Sequence, residues 1–419
     1  MATIALPARL VYGVHHAITS SSDGYAVRGH GVAQALCQAG VALKVLVAPS
    51  EHTAGLPFGV AVDGVDYLHL QPGLEPSYQQ LLSVFKPDAV LAASNWSHAQ
   101  PLLQAAQQLG LPFWYEARGF WELSRCAREP VFAGSAGFEQ EVAGETGIAQ
   151  AADSLFTLNR QMAAEWVHRG VPSTKISLIP NGVAAIPAAI PEPDPALRAQ
   201  LGLAEGKVIA YIGSFSTYEG LDDLLAAFAL AQRQDLDARL VLVGSLSDLG
   251  SGDQPCQTSD RLLILASRLG VADRLVFTGR VPPHTVASYY PLIDVLVIPR
   301  RPERVCEIVS PLKPLEPAAH GTQLLLSSVA PLADLQSLGP GVHLFEKGSV
   351  DALARQLLAI LSQPTPPRCP ETLYPGLEKL LWSRNIEHLL RALQETPPRL
   401  KRSLSWHGMD PSKSGGDNL

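Results

Sequence analysis

Apolar residues along the chain fall into short runs that alternate with longer amphipathic stretches. LVYGV (10–14), VALKVLVA (41–48), DAVLAAS (88–94), PFWYEA (112–117), SLFTL (154–158) and KISLIP (175–180) have the length and the β-branched or aromatic content of buried strands. Between two of them, VRGHGVAQALCQAG (27–40) repeats its apolar positions at three and four, and Gly40 stands where it can end a helix. Strand, helix, strand at these distances implies right-handed crossovers into a parallel sheet.

The pattern breaks near residue 184, where AAIPAAIPEPDPALRAQLGLAEG carries Pro187, Pro191, Pro193 and Pro195 with little periodicity. This reads as a linker. The alternation then restarts with strands at 208–215, 239–244, 274–279, 295–299 and 324–328 and helices at 221–234 and 259–269. The prediction is two doubly wound parallel-sheet domains with the ligand cleft between them, at the carboxyl ends of both sheets. A last helix is expected over 377–393, and the polar, Gly- and Ser-rich end reads as a disordered tail.

Composition narrows the function classes. The 419 residues suffice for two domains, and 47% hydrophobic with 17% charged residues is a globular balance. A formal net charge of -7 argues against nucleic acid as partner. Cys37, Cys126, Cys256, Cys306 and Cys369 lie far apart with no metal-like spacing, as expected of reduced thiols. The N-terminus lacks a basic start with an apolar run, and no stretch approaches a membrane span, so a cytoplasmic protein is expected. Peripheral contact with the inner membrane face stays compatible with that.

No GxGxxG follows the first strand of either half and no GxxxxGK[ST] occurs, which disfavours dehydrogenases and P-loop enzymes. In SSSDGYAVRGHG (20–31), Gly24 stands at a strand-to-helix turn, either as an anion-approach point or as an ordinary tight turn. In IPRRPERVCEIVSPLKPLEPAAHG (298–321), Ser310 as N-cap and Pro311 at the first helical position predict a helix start. The N–H groups of Leu312 and Lys313 would then face an anion, with Glu316 on the same helix face to take two ribose hydroxyls. Pro311, Pro314 and Pro317 recur every third residue, so polyproline II is the competing reading.

With these segments in view, residues 10–395 resemble the retaining GT-B glycosyltransferases of family GT4. PLKPLEPAAHG with SSVAPLADL resembles the family's C-domain motif, and IAYIGSFSTYEGLDDLLAAF resembles the strand-loop-helix that opens that domain. TLNRQMAAEWVHRGVPSTKISLIPNGV and VADRLVFTGRVPPHTVASYYPLIDVLVIP match in the same order, while GYAVRGHG and PFWYEARGFWELS resemble bacterial polysaccharide-associated members. The resemblance implies an acceptor-side Rossmann-like domain over 1–184, a linker over 185–206 and a nucleotide-sugar-binding domain over 207–372. It further implies a C-terminal helix over 373–396 packing back toward the first domain, before a tail over 397–419.

The resemblance also implies roles. Gly24 meets the donor diphosphate, Ser310 to Lys313 hold it through backbone N–H groups, Glu316 binds ribose, and Arg280 with Val281 lies beside the base. Three family positions differ: the usual loop Arg and Lys fall at Ser214 and Glu219, the first motif Glu at Ile308 with Glu307 one residue early, and the usual His at Arg118. Cationic help is therefore expected from Lys313, Arg118, Arg300 and Arg301. Arg118 could instead pair with Glu116 or Glu122, and Arg300 could be a surface residue; Glu307 either takes over the catalytic role of the displaced motif Glu or is a solvated loop charge. His15, His16 and His98 read as structural, and Trp114, Trp121 and Trp166 as core, with sugar stacking a minority option for Trp121. The expected activity is transfer from a UDP- or GDP-linked sugar to a saccharide or lipid-linked acceptor with retention, needing no metal or other cofactor. The alternatives are a catalytically impaired binding or scaffold protein and a sugar-nucleotide epimerase.

Overall fold

The computed structural model describes residues 8–50, 53–71, 77–203, 206–244 and 257–395 of the chain. The first set of apolar runs becomes β1 (Arg9–Val14), β2 (Ala42–Val47), β3 (Gly59–Val62), β4 (Val65–His69), β5 (Ala89–Ala93), β6 (Phe113–Ala117), β7 (Ser154–Thr157) and β8 (Ile176–Leu178). They form an 8-stranded sheet in the order β3-β4-β2-β1-β5-β6-β7-β8. The second set becomes β9 (Lys207–Ile212), β10 (Ala238–Val243), β11 (Leu275–Gly279), β12 (Val295–Ile298), β13 (Gln323–Ser327) and β14 (Val342–Phe345). These form a 6-stranded sheet in the order β11-β10-β9-β12-β13-β14. All pairings are parallel except β3 with β4.

Both sheets reverse their direction of growth at one place, between β1 and β5 in the first and between β9 and β12 in the second. At such a switch point the loops leaving two adjacent strands diverge, opening a crevice at the carboxyl ends. One apolar cluster runs through both domains, from Val11 and Tyr115 to Val208 and Leu324, and two further clusters cover the remaining sheet faces.

Four expectations are corrected. The first helix spans Gly24–Gln38 and so begins three residues ahead of the apolar repeat, because Asp23 caps it. The region read as a loose linker contains the helix Pro195–Gln200, where Asp194 accepts from the Ala196 N–H and Pro195 takes the first position. The β3–β4 hairpin is an addition. Its Asp63-Gly64 turn has φ of 51° and 79°, both left-handed, as a tight hairpin requires.

The fourth correction concerns the final helix, which is broken into a 3-10 turn Leu377–Leu380 and the helices Trp382–Asn385 and Glu387–Glu395. Leu381 is extended there because the chain pairs with Val183: the Val183 N–H donates to Leu380 at 2.9 Å and the Trp382 N–H to Val183 at 3.0 Å. Trp382, Ile386, Leu389 and Leu393 thereby join the first domain's core. A Cβ on Gly31 would overlap the Trp382 indole, so the helix Gly24–Gln38 accepts that ring only with glycine there. Cys37, Cys126, Cys306 and Cys369 are free thiols; Cys256, residues 204–205 of the linker and the tail lie outside the described residues.

Candidate active site

The switch point of the second sheet gathers charge. The loop after β9 carries Glu219, the strand end of β12 leads to Arg300, and the turn before the helix Leu315–Ala319 supplies Lys313. Glu219 Oε1 accepts from Lys313 Nζ at 2.7 Å and from Arg300 Nη2 at 3.0 Å, and Arg300 Nη1 donates to the Val309 carbonyl at 3.1 Å. Burial alone would raise the Glu219 carboxyl, but Arg300 and then Lys313 outweigh it and hold it at about 2. Burial depresses the Lys313 ammonium despite Glu219, and Arg300 is raised against its burial by Glu219. The cluster holds two cations and one anion, and its Lys313 side chain keeps 20% exposure.

Gly213 makes this arrangement possible. Its φ of 145° suits glycine, and a Cβ there would overlap the Lys313 stem. Ser214, the position of the family's usual arginine, contributes its carbonyl, which accepts from the Tyr211 hydroxyl at 2.7 Å.

The predicted helix start at Ser310–Pro311 is corrected: the helix is Leu315–Ala319, preceded by Pro314. A helix begun at Pro311 would need the N–H that Pro314 lacks, whereas from Leu315 onward Pro317 falls in the first turn, where no N–H is required. Ser310 and Leu312 therefore lie in a loop. The Ser310 hydroxyl receives a 2.6 Å hydrogen bond from Asn159, and Leu312 packs among apolar neighbours. Lys313 and Glu316 do not share a helix face, and Glu316 is exposed while Lys313 turns to Glu219.

The other candidates divide. Arg118 is buried and bonded within the first domain: its Nε donates to Glu116 at 2.9 Å, its Nη1 to the Tyr25 carbonyl at 3.0 Å, and its Nη2 meets the Tyr12 hydroxyl. Glu116 is shared with Arg28 at 2.7 Å, so of the two sequence alternatives Arg118 pairs with Glu116. These contacts make it a strut of the first domain. Glu307 accepts from the Ala330 N–H at 3.2 Å and from Lys347 at 2.5 Å, which leaves it outside the Glu219 cluster. Arg301 is held by Asp222 and Asp223, each at 2.8 Å. At Gly24 the helix N-terminus is already filled, since Asp23 Oδ1 accepts from the N–H groups of Tyr25 and Ala26 at 2.8 and 2.9 Å. Arg280 is exposed beyond β11, and Val281 beside it is half-buried.

The first domain places a ring cluster at its own switch point. His15 and His16 follow β1, His98 lies in the first turn of the helix Trp96–Gln108 after β5, Tyr25 opens the helix Gly24–Gln38, and Trp121 opens the helix Trp121–Arg128. His15 stacks on His98 at 5.5 Å and meets Trp121 edge-on at 5.5 Å, and Tyr25 stacks on Trp121 at 4.9 Å. Trp114 and Trp166 are core residues. Sequence reasoning had set the histidines aside individually; their convergence needs the fold.

Polar bonds tie the two domains around these clusters. Asn159 donates to the Ile308 carbonyl at 2.9 Å, Asn181 to the Ser310 carbonyl at 3.0 Å, Thr217 to the Ala127 carbonyl at 3.2 Å, and Arg160 pairs with Asp334 at 2.6 Å. Among the described residues no group of three or more His, Cys, Asp or Glu is placed to hold a metal, and no helix is long and apolar enough to cross a membrane.

The family model for "Glycosyl transferases group 1" matches residues 206–363, and that for "Glycosyl transferase 4-like domain" matches residues 13–182. D-inositol 3-phosphate glycosyltransferase of Segniliparus rotundus is 31% identical over 196 residues, covering 46% of this chain and 41% of that protein. The chain thus spans about half the length, or less, of the curated relatives it first matches. Sucrose-phosphate synthase from Thermosynechococcus elongatus superposes with a TM-score of 0.67 at 20% identity, covering 92% of this chain and 94% of that one. Anabaena HepE, solved with UDP and glucose, gives 0.65 at 16% identity, covering 91% and 99%. These likenesses show the GT-B fold.

Proposed function

Because the chain belongs to the group 1, GT4-like glycosyl transferases, we propose that it moves a sugar from a UDP- or GDP-linked donor to a saccharide or lipid-linked acceptor, with retention of configuration. The observation that carries the reading is the Lys313–Glu219–Arg300 cluster at the carboxyl end of the second sheet, where the crevice opens. The donor lies on the second domain with its diphosphate against Lys313 and the loop N–H groups of Leu312 and Lys313, and the acceptor approaches from the first domain. Lys313 has three donors and gives one to Glu219, so it can take a phosphate oxygen without leaving its anchor. The net positive charge of the cluster then favours the leaving diphosphate. At 4 Å and an effective dielectric near 20, one such ion pair is worth about 4 kcal/mol before desolvation.

In the transfer, the bond from anomeric carbon to diphosphate oxygen breaks and the acceptor oxygen bonds to the same face. The acceptor proton passes to the departing diphosphate, so atoms and charges balance without an enzyme nucleophile. Lys313 and Arg300 neutralise the departing charge in place of the family's usual loop pair, and no metal enters the scheme. The matched relatives, whose names specify transfer to D-inositol 3-phosphate, support an acceptor rich in hydroxyls.

A transfer and hydrolysis assay across UDP- and GDP-sugars tests the reading. Turnover with at least one donor is expected, falling at least a hundredfold in Lys313→Ala. Silence with every donor, joined to intact UDP binding, would favour the second reading, a binding protein without catalysis; that reading is motivated by the anion Glu219 standing where the family places a cation.

A further inference from the structure

His15 is 6% exposed, yet neither ring nitrogen has a hydrogen-bond partner in the protein. The indole Nε1 of Trp121, whose ring meets His15 edge-on, is likewise buried and unpartnered. A buried polar group left unsatisfied is destabilising, so two in adjoining rings call for a polar guest that both donates and accepts. Burial, then His16 and His98, push the His15 imidazole well below its ordinary range, so the ring is neutral and offers one donor and one acceptor. A sugar hydroxyl has the matching pair of functions. Tyr25 and Trp121 add stacked aromatic surface, which suits the C–H face of a sugar ring.

Position supports the same occupant. His15 leaves β1 and His98 follows β5, so the cluster marks the switch point of the first sheet, as Glu219 and Arg300 mark that of the second. The two sites adjoin. The helix Trp121–Arg128 packs on the turn Thr217–Glu219, and burial followed by the neighbouring Tyr218 raises the Tyr25 hydroxyl.

We infer that His15, His98, Tyr25 and Trp121 form a saccharide subsite in which the acceptor sugar hydroxyl bonds the His15 imidazole and the Trp121 indole N–H. The inference rests on the proposed transfer reaction for its substrate class. The rings of His98 and Trp121 shield the nitrogens, so entry of the sugar requires one of those rings to turn aside.

The test is a titration of the full chain with glucose, galactose, mannose and N-acetylglucosamine, with and without UDP, following the His15 imidazole nitrogens by NMR in the wild type and the binding heats by calorimetry in every variant. At least one sugar should shift the His15 signals, with affinity falling at least tenfold in His15→Phe and in Trp121→Phe. The second variant keeps an aromatic ring while removing the indole N–H, which guards against a folding loss in the first. If none of the four sugars moves the His15 signals, the cluster holds at most a buried water and the subsite is refuted. Sugar binding heats that persist unchanged in both variants refute it equally. UDP heats, measured separately, report on the donor reading: a chain that binds sugar at His15 but not UDP would overturn the transfer reaction while leaving the subsite standing.

Discussion

Replacing Glu219 with glutamine separates two roles of the buried cluster, because the change removes a charge and keeps the shape. The carboxyl sits at about 2 against an ordinary 4.5, which corresponds to about 3 kcal/mol of stability at neutral pH. Removing one partner of a buried pair costs about 3–5 kcal/mol by comparison with similar sites, so a loss of roughly 3–4 kcal/mol is expected. The sign with pH is fixed. A depressed carboxyl contributes fully above its unfolded value, and the contribution is lost as the pH falls from about 4.5 through about 2. Urea unfolding at neutral pH should therefore show the full gap between wild type and Glu219→Gln, and the gap should close toward pH 2. UDP binding should move the other way. With Glu219 neutral, Arg300 and Lys313 lack their anion and a diphosphate supplies it, so calorimetry should show about tenfold tighter binding, or ~1.4 kcal/mol. A variant that loses less than about 1 kcal/mol at neutral pH, or that loses stability and UDP affinity together, would refute this account of the cluster.

Two further changes probe the first domain. Arg118→Ala leaves Glu116 short of one cation in a buried network and should lower stability by about 3–5 kcal/mol while UDP heats stay within twofold of wild type; a selective loss of UDP binding would restore Arg118 to the donor site. Burial raises the Glu145 carboxyl to about 8, so the folded state holds a proton that the unfolded chain releases, and stability falls as pH climbs from about 4.5 through about 8. Glu145→Gln should flatten that fall and exceed wild type in stability at pH 9, as read from thermal melts; a parallel pH profile in both proteins would show that Glu145 is ionised in the fold.

The strand runs were legible because a parallel sheet covered on both faces needs near-continuous apolar segments, and VIAYI, RLVLV and VLVIP are such segments. The β3–β4 hairpin was legible in principle, through Asp63-Gly64 between valines, but β3 is a half-exposed run of only four residues, GVAV, and β4 breaks its apolar run with Asp66. The final helix failed as a prediction because its periodicity is real while its continuity is overridden at Leu381, where pairing with Val183 outweighs helix propensity.

The site shows a different kind of limit. Read along the chain, Glu219 looks like a repulsive intruder in a diphosphate loop, and Lys313 looks like a helix-start cation free to compensate for it. Folding makes them partners at 2.7 Å, so the intruder is what fixes the compensating lysine in place. Local spacing cannot show this, because the two residues are 94 positions apart and meet only where the loop after β9 crosses the turn after β12. Gly213 is the one local trace: its backbone angle and its contact with the Lys313 stem both demand glycine. His15 follows the same logic from the other side of the cleft. Alone it reads as a structural histidine, and only the missing partner for both of its nitrogens, beside an indole in the same condition, gives it a chemical task. Charge pairing and unmet hydrogen bonding are properties of neighbours in space, so a switch point, which brings together loops from distant strands, is where sequence reading loses most and the fold adds most.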